Sequence, residues 1–209
     1  MTSPVRLACL ASGGGRTILN LVDHIEAGKL HAHIASVILS RQGLPAASRC
    51  RERGLLTTEP PADVQLDGWV LEQLSAVKPD LICLCGYLRL LPIEPWMANR
   101  VINIHPALLP RHGGKGMYGK HVHRAVLSAG DTSSGCTVHL VDERYDHGPT
   151  ILQRTCPVHP EDDEHTLAAR VFQEECAALP EAIQRIASGQ IQLHDLAGTQ
   201  RPAPEVTSD

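Results

Sequence analysis

After its first residue, the run Asp80-Leu81-Ile82-Cys83-Leu84-Cys85 contains nothing that prefers water. A strand apolar at every position, rather than every second one, is covered on both faces, and such strands lie inside parallel sheets flanked by helices. The chain supplies the helices. Short apolar runs at Val5 to Ala11, Ile34 to Leu39, Leu55 to Thr58 and Val101 to Ile104 read as further strands. Between them fall helical patterns over Thr17 to Ala27, Pro45 to Arg53 and Val64 to Val77. In the first of these, Ile18, Leu19, Leu21, Val22 and Ile25 make one apolar stripe. This alternation predicts an α/β fold: a Rossmann-like open, mostly parallel sheet with right-handed crossovers and helices on both faces.

Beyond residue 130 the pattern changes. Thr137 to Val141 and Thr150 to Pro157 flank a loop and predict an antiparallel C-terminal extension of the sheet. Thr166 to Ala187 predicts a long helix with Leu167, Val171, Phe172, Leu179, Ile183 and Ile186 on its inner face, kinked at Pro180. Residues 1–195 are expected to form one domain, and 196–209, rich in Thr, Pro, Glu and Ser, a flexible tail.

Composition narrows the function. Aromatic residues make up only 3% against 43% hydrophobic, so the core must be aliphatic. A net charge of −4 with no Lys/Arg cluster argues against nucleic acid as a partner. No apolar run approaches the length of a membrane helix, and the opening strand is too short for a signal peptide. Seven cysteines without a C-x-x-C pair suit reduced thiols in a cytoplasmic protein. His31/His33 and His121/His123 lack a matched third ligand, so no structural metal is expected. Small-molecule substrates are the expected partners, with no nucleic acid and no membrane, for a chain working as a monomer or homodimer.

The polar residues that interrupt the apolar pattern carry the chemistry. Val101-Ile102-Asn103-Ile104-His105-Pro106 ends an apolar strand in Asn and His two positions apart, hence on one face. On its own this pair is equally a hydrogen-bonded strand end. Downstream stand Gly135-Cys136-Thr137-Val138-His139 and then Asp142-Glu143-Arg144-Tyr145-Asp146-His147-Gly148-Pro149. Asn, His and a distant Asp beside turn residues make a plausible polarising and acid–base set. Ser12-Gly13-Gly14-Gly15-Arg16-Thr17 lies between the first strand and helix, where free amides and the helix dipole favour an anion. It lacks the Lys-Ser/Thr of a phosphate-binding Walker loop and the third glycine of a dinucleotide fingerprint, so a phosphate monoester fits better than a pyrophosphate. Glu175 interrupts the apolar stripe of the last long helix, either at its edge or reaching into a cavity. Gly113 to Gly119 holds four glycines and reads as a mobile flap or a plain connection.

The N-I-H-P-x-L-L-P run, the downstream V-H, the D-x-G-P turn and the glycine-rich first loop together resemble the folate-dependent formyltransferases, from about Val5 to about Gly189. The branch most similar formylates glycinamide ribonucleotide. The resemblance implies transfer of formyl from 10-formyltetrahydrofolate, a cosubstrate, to that ribonucleotide's amine, without a metal. It implies Asn103, His105 and Asp146 as catalytic residues with His139 in support. It assigns the phosphate to Gly15, Arg16 and Thr17 and the ribose hydroxyls to Glu175. It implies a folate pocket between Leu88, Arg89, Leu90 and Leu91 and the loop Asp142, Glu143, Arg144 and Tyr145. Arg16 and Thr17 depart from the family's usual Ser or Thr followed by Asn, although an added guanidinium should still help an anion.

The nearest rivals are formyltetrahydrofolate hydrolases, which usually carry an N-terminal regulatory domain and a second His where this chain has Pro106. With a first strand at about Val5, no such domain is expected here. A methionyl-tRNA formyltransferase would need an added basic domain. Glu175 and the first loop fit a ribonucleotide better than a sugar nucleotide. A non-catalytic binding protein would have little use for Asn103, His105 and Asp146 together.

Overall fold

The computed structural model describes residues 3–196; the tail expected beyond Leu196 lies outside them. In chain order the elements are β1 (Val5–Ala11), α1 (Arg16–Glu26), β2 (Ala32–Leu39), α2 (Pro45–Glu52), β3 (Thr57–Thr58), α3 (Leu66–Val77), β4 (Leu81–Leu84), a 3-10 turn (Pro95–Met97), β5 (Val101–His105), α4 (Lys120–Ser128), β6 (Ser133–Leu140), β7 (Thr150–Pro157), α5 (Glu164–Ala187) and α6 (Leu193–Leu196). The strands form one sheet in the order β3-β2-β1-β4-β5-β6-β7. Pairing is parallel from β3 through β5 and antiparallel for β5 with β6 and β6 with β7. The expected open sheet and its antiparallel extension are both present. The all-apolar run forms β4, which is buried at every position at the middle of the sheet.

Two aliphatic cores cover the two faces. One gathers α1, α2 and α5 against the sheet around Leu7, Val37, Ile102 and Val138; the other gathers α3 around Leu10, Ile38 and Ile82. Along α5, Leu167, Val171, Leu179 and Ile183 are all buried, at helical spacing. Each contributes at most about 1.5–3 kcal/mol of transfer free energy, an upper figure because unfolded chains are already partly compact. Asp163 caps the helix, accepting the amides of His165 and Thr166 while the Thr166 hydroxyl accepts the Asp163 amide.

Pro180 leaves α5 an unbroken helix over 24 residues. Proline removes the donor that would serve the carbonyl four residues back. That carbonyl, on Cys176, accepts instead from Asn20 Nδ2 of α1 at 2.8 Å. Phe172, expected in the core, is only half-buried and lines the cavity described below. Helix α4 carries only a short stripe of Val122, His123 and Val126 behind a glycine-rich segment, too little for a helical pattern to show in sequence.

β1 lies between β2 and β4, so the connections leave toward opposite edges on either side of it. Open α/β sheets bind ligands at such switch points, beyond the carboxyl ends of the strands. The turns after β1 and β4 are tied together there. Ser12 N–H donates to Gly86 O at 3.0 Å, and Leu88 N–H donates to Ser12 Oγ at 3.1 Å.

Candidate active site

A cavity of about 770 Å³ opens at this switch point. Its floor is the end of β5. Antiparallel pairing sets Asn103 opposite His139 and His105 opposite Thr137, which brings four polar side chains to one face of two strands. That register is why the V-H motif downstream belongs with the N-I-H motif upstream. Thr137 donates to Ala107 O at 2.7 Å and accepts from Leu109 N–H at 3.1 Å, pinning the loop that leaves His105.

Asp146 completes the group from across the cavity, at the end of the β6–β7 loop. Its Oδ2 stands 3.4 Å from His105 Nδ1 and accepts the Gly114 amide at 2.9 Å; its Oδ1 accepts from Asn103 Nδ2 at 3.4 Å. The turn that presents it is tight. Asp146 sits at φ 54, and a Cβ on Gly148 would lie 2.0 Å from Leu140 O, so the D-x-G-P glycine is a steric requirement. Burial opposes ionisation of Asp146, yet the His105 hydrogen bond, the His139 ring 3.7 Å away, the His105 charge and the Gly114 amide hold its carboxyl below the usual carboxylate range.

Hydrogen-bond partners assign the rings. His139 Nδ1–H donates to Leu140 O at 2.7 Å, so in its neutral ring Nε2 accepts from Asn103 Nδ2 at 3.1 Å. His105 Nε2–H donates to the carbonyl of His112 at 2.8 Å. Its other nitrogen faces the Asp146 carboxylate, and a doubly protonated ring satisfies both acceptors. Nδ1, in the looser contact, is the nitrogen open to chemistry. Both hydrogens of the Asn103 amide are engaged, the weaker contact being the 3.4 Å one to Asp146.

The two ends of the cavity differ in character. At one, Ser12, Gly13, Arg16 and Thr17 stand at the start of α1, facing Phe172 and Glu175 of α5. The Arg16 guanidinium lies 4.1 Å over the Phe172 ring, a cation–π contact that directs a charge otherwise free to wander. Burial pushes the Glu175 carboxyl up to about 7, with the His105 and Arg16 charges pulling the other way. At the opposite end the turn Leu88–Leu91 meets Val141, Arg144 and Tyr145; Leu88, Leu90 and Tyr145 leave apolar surface exposed. This end suits a flat heterocycle, the first an anion.

Of the residues singled out from sequence, Asn103, His105, His139, Asp146, Arg16, Thr17, Glu175, Leu88 to Leu91, Arg144 and Tyr145 line one cavity. Gly15, Asp142 and Glu143 do not. Gly15 is buried at φ 75, where a Cβ would meet Ala46 Cβ at 3.0 Å, so its glycine serves the α1–α2 packing. Asp142 pairs with His147 Nδ1 at 2.6 Å and accepts the Arg144 amide at 2.8 Å, shaping the loop rather than facing the cavity. Sequence reasoning missed Phe172 as a lining residue and also missed His123. The latter is buried in the wall; its Nδ1 has no hydrogen-bond partner among the described residues, and burial lowers its pKa. The start of the glycine-rich segment is anchored, because the Gly114 amide bonds Asp146 and Gly113 packs on Leu109. Among the described residues no helix is long and apolar enough to cross a membrane, and no three His, Cys, Asp or Glu side chains form a group able to hold a metal.

Comparison with known proteins bears on the same residues. The family described as formyl transferase matches residues 5–183. The chain is 35% identical over 156 residues to the chloroplastic phosphoribosylglycinamide formyltransferase of Vigna unguiculata, covering 71% of this chain and 50% of that one. It thus spans about half the length of that relative. It is 30% identical to phosphoribosylglycinamide formyltransferase of Escherichia coli (strain K12), covering 71% of each. The solved structure of glycinamide ribonucleotide transformylase 1 from Symbiobacterium toebii superposes with a TM-score of 0.81 at 34% identity over 92% of each chain. On a match that takes in β1, the whole polar cluster and most of α5, the chain belongs to the formyl transferase family.

Proposed function

We propose that this chain is a phosphoribosylglycinamide formyltransferase: it transfers the formyl group of 10-formyltetrahydrofolate to the amine of glycinamide ribonucleotide in purine synthesis. One observation carries the reading. Asn103, His105 and Asp146 meet between an anion-suited end and an apolar, flat end of a single cavity. That is what a reaction joining a phosphorylated amine to a pterin-bound formyl group requires.

The ribonucleotide phosphate binds at the start of α1, on the amides of the Ser12–Thr17 turn and the Arg16 guanidinium, and Glu175 accepts from the ribose hydroxyls. The folate packs on Leu88, Leu90 and Tyr145. The amine then attacks the formyl carbon and an oxyanion develops. Asn103 gives up its long contact to Asp146 and donates to that oxygen. Protonated His105 stabilises the same charge. As the intermediate collapses, Asp146 takes the proton lost by the attacking amine, and His105 Nδ1 delivers one to the departing folate nitrogen. A proton passing from Asp146 to His105 across their 3.4 Å contact restores both groups. The seven free cysteines, six of them buried, suit a reducing compartment such as the cytoplasm, and the enzyme works as a monomer or homodimer.

The test is folate product formed from 10-formyltetrahydrofolate with and without glycinamide ribonucleotide, with the nucleotide weighed by mass spectrometry. Release that depends on the ribonucleotide, with one formyl gained, supports the transferase. Release without it, yielding formate, replaces it with a hydrolase.

A further inference from the structure

We propose that Asp131, outside the cavity, is a positioning residue that fixes how His105 and Asp146 face each other, acting through the backbone of residues 112 to 114. Asp131 lies between α4 and β6. Its carboxylate receives His112 Nε2–H at 2.7 Å and the Arg111 guanidinium at 2.6 Å. Asp131 and His112 are both largely buried, with side chains 11% and 13% exposed, so the pair is less screened than a surface ion pair.

The segment this anchor holds touches both members of the reacting pair. The His112 carbonyl accepts from His105 Nε2–H at 2.8 Å, and two residues on, the Gly114 amide donates to Asp146 Oδ2 at 2.9 Å. Between them Gly113 is hemmed in, since a Cβ there would lie 2.4 Å from Leu109 Cδ2. His112 itself sits at φ 55, a left-handed conformation that costs an L residue about 1–2 kcal/mol and persists only when held. Asp131 holds it. Released, His112 relaxes toward negative φ, its carbonyl leaves His105, and the imidazole is free to turn its Nδ1 away from Asp146.

This proposal rests on His105 being the reacting acid, so the test pairs kinetics with a readout that needs no turnover. In Asp131→Ala, which leaves no acceptor for His112, kcat should fall about ten- to a hundredfold, the usual cost of misplacing a reacting group by about an ångström, with KM for both cosubstrates within about twofold of wild type. The ring N–H proton of His105, identified by its loss in His105→Gln, should move upfield in the NMR spectrum as its acceptor departs. Adding His112→Gly to Asp131→Ala should recover part of kcat, because glycine takes positive φ unaided. An unmoved resonance, unchanged kcat, a rise confined to KM, or no recovery in the double variant would overturn the proposal. Where Asp131→Ala is too unstable to assay, His112→Phe cuts the same link and is held to the same kcat and resonance criteria. If the wild type proves inactive on these substrates, the resonance still decides whether Asp131 governs His105.

Discussion

Asp146→Asn is the sharpest single perturbation of this site. Asparagine keeps the shape and tolerates the left-handed backbone at φ 54, so the turn should survive. What changes is charge and polarity. If the new amide turns its oxygen to the Gly114 amide, its NH₂ confronts Asn103 Nδ2, where a donor stood 3.4 Å from an acceptor. Turned the other way, NH₂ faces the Gly114 amide instead. One mismatch is unavoidable, and in both arrangements His105 loses its anion. Loss of an acid–base group costs about 10²–10⁴ in rate, or about 3–5 kcal/mol at 1.36 kcal/mol per decade. Initial rates of folate release at saturating ribonucleotide measure it, with His105→Ala alongside. Turnover within tenfold of wild type in both variants would refute the assignment. Stability gives an independent check with a definite sign. A carboxyl depressed in the folded state contributes stability that is present above its unfolded pKa of about 4 and is lost as pH falls toward the folded value. Thermal unfolding should therefore separate wild type from Asp146→Asn more at pH 7 than at pH 3.

Glu175→Gln should raise KM for the ribonucleotide more than for the folate. Because burial raises the Glu175 carboxyl to about 7, wild-type stability should fall as pH rises through that value while the variant's does not, and melting at pH 6 and pH 8 checks this. Arg16→Ala should raise the ribonucleotide KM by about ten- to a hundredfold, one charge-assisted contact of roughly 1.5–3 kcal/mol at about 1.36 kcal/mol per decade, with folate KM unmoved; an equal rise in both would argue against an anion site there. Gly15→Ala should lower stability by about 1–3 kcal/mol through left-handed strain and overpacking against Ala46, seen as a reduced denaturant midpoint, and a normal midpoint would contradict the packing role.

The parallel sheet was legible because β4 admits no other environment, and α1 and α5 because their stripes are long. That Asn103, His105 and Asp146 would come together was legible because they interrupt apolar or turn sequence where packing has no use for them. Other features depend on tertiary register that no local pattern carries. The pairing of Asn103 with His139 is a consequence of antiparallel strands joined through a 27-residue excursion that includes α4. Phe172 satisfies the apolar stripe of α5 as well as any core residue, and only the nearness of Arg16 reveals its other use. Gly15 shows a second demand that the sequence does not reveal: glycine at a helix start suggests an anion, and this one also makes room for Ala46. Asp131 and His112 carry no motif at all.

The carbonyl that Pro180 leaves without a helical donor has a consequence for selectivity. Cys176, whose oxygen Asn20 captures, is the neighbour of Glu175, and Asn20 lies one turn along α1 from Arg16. The bond therefore works like the locked screw of a gauge. It fixes the gap between Arg16 on α1 and Glu175 on α5, the two groups proposed to take the phosphate and the ribose hydroxyls. A ligand whose phosphate and ribose hydroxyls are spaced otherwise should be rejected by length alone, and Asn20→Ala should relax that rejection, narrowing the difference in KM between the ribonucleotide and an analogue with a longer phosphate arm.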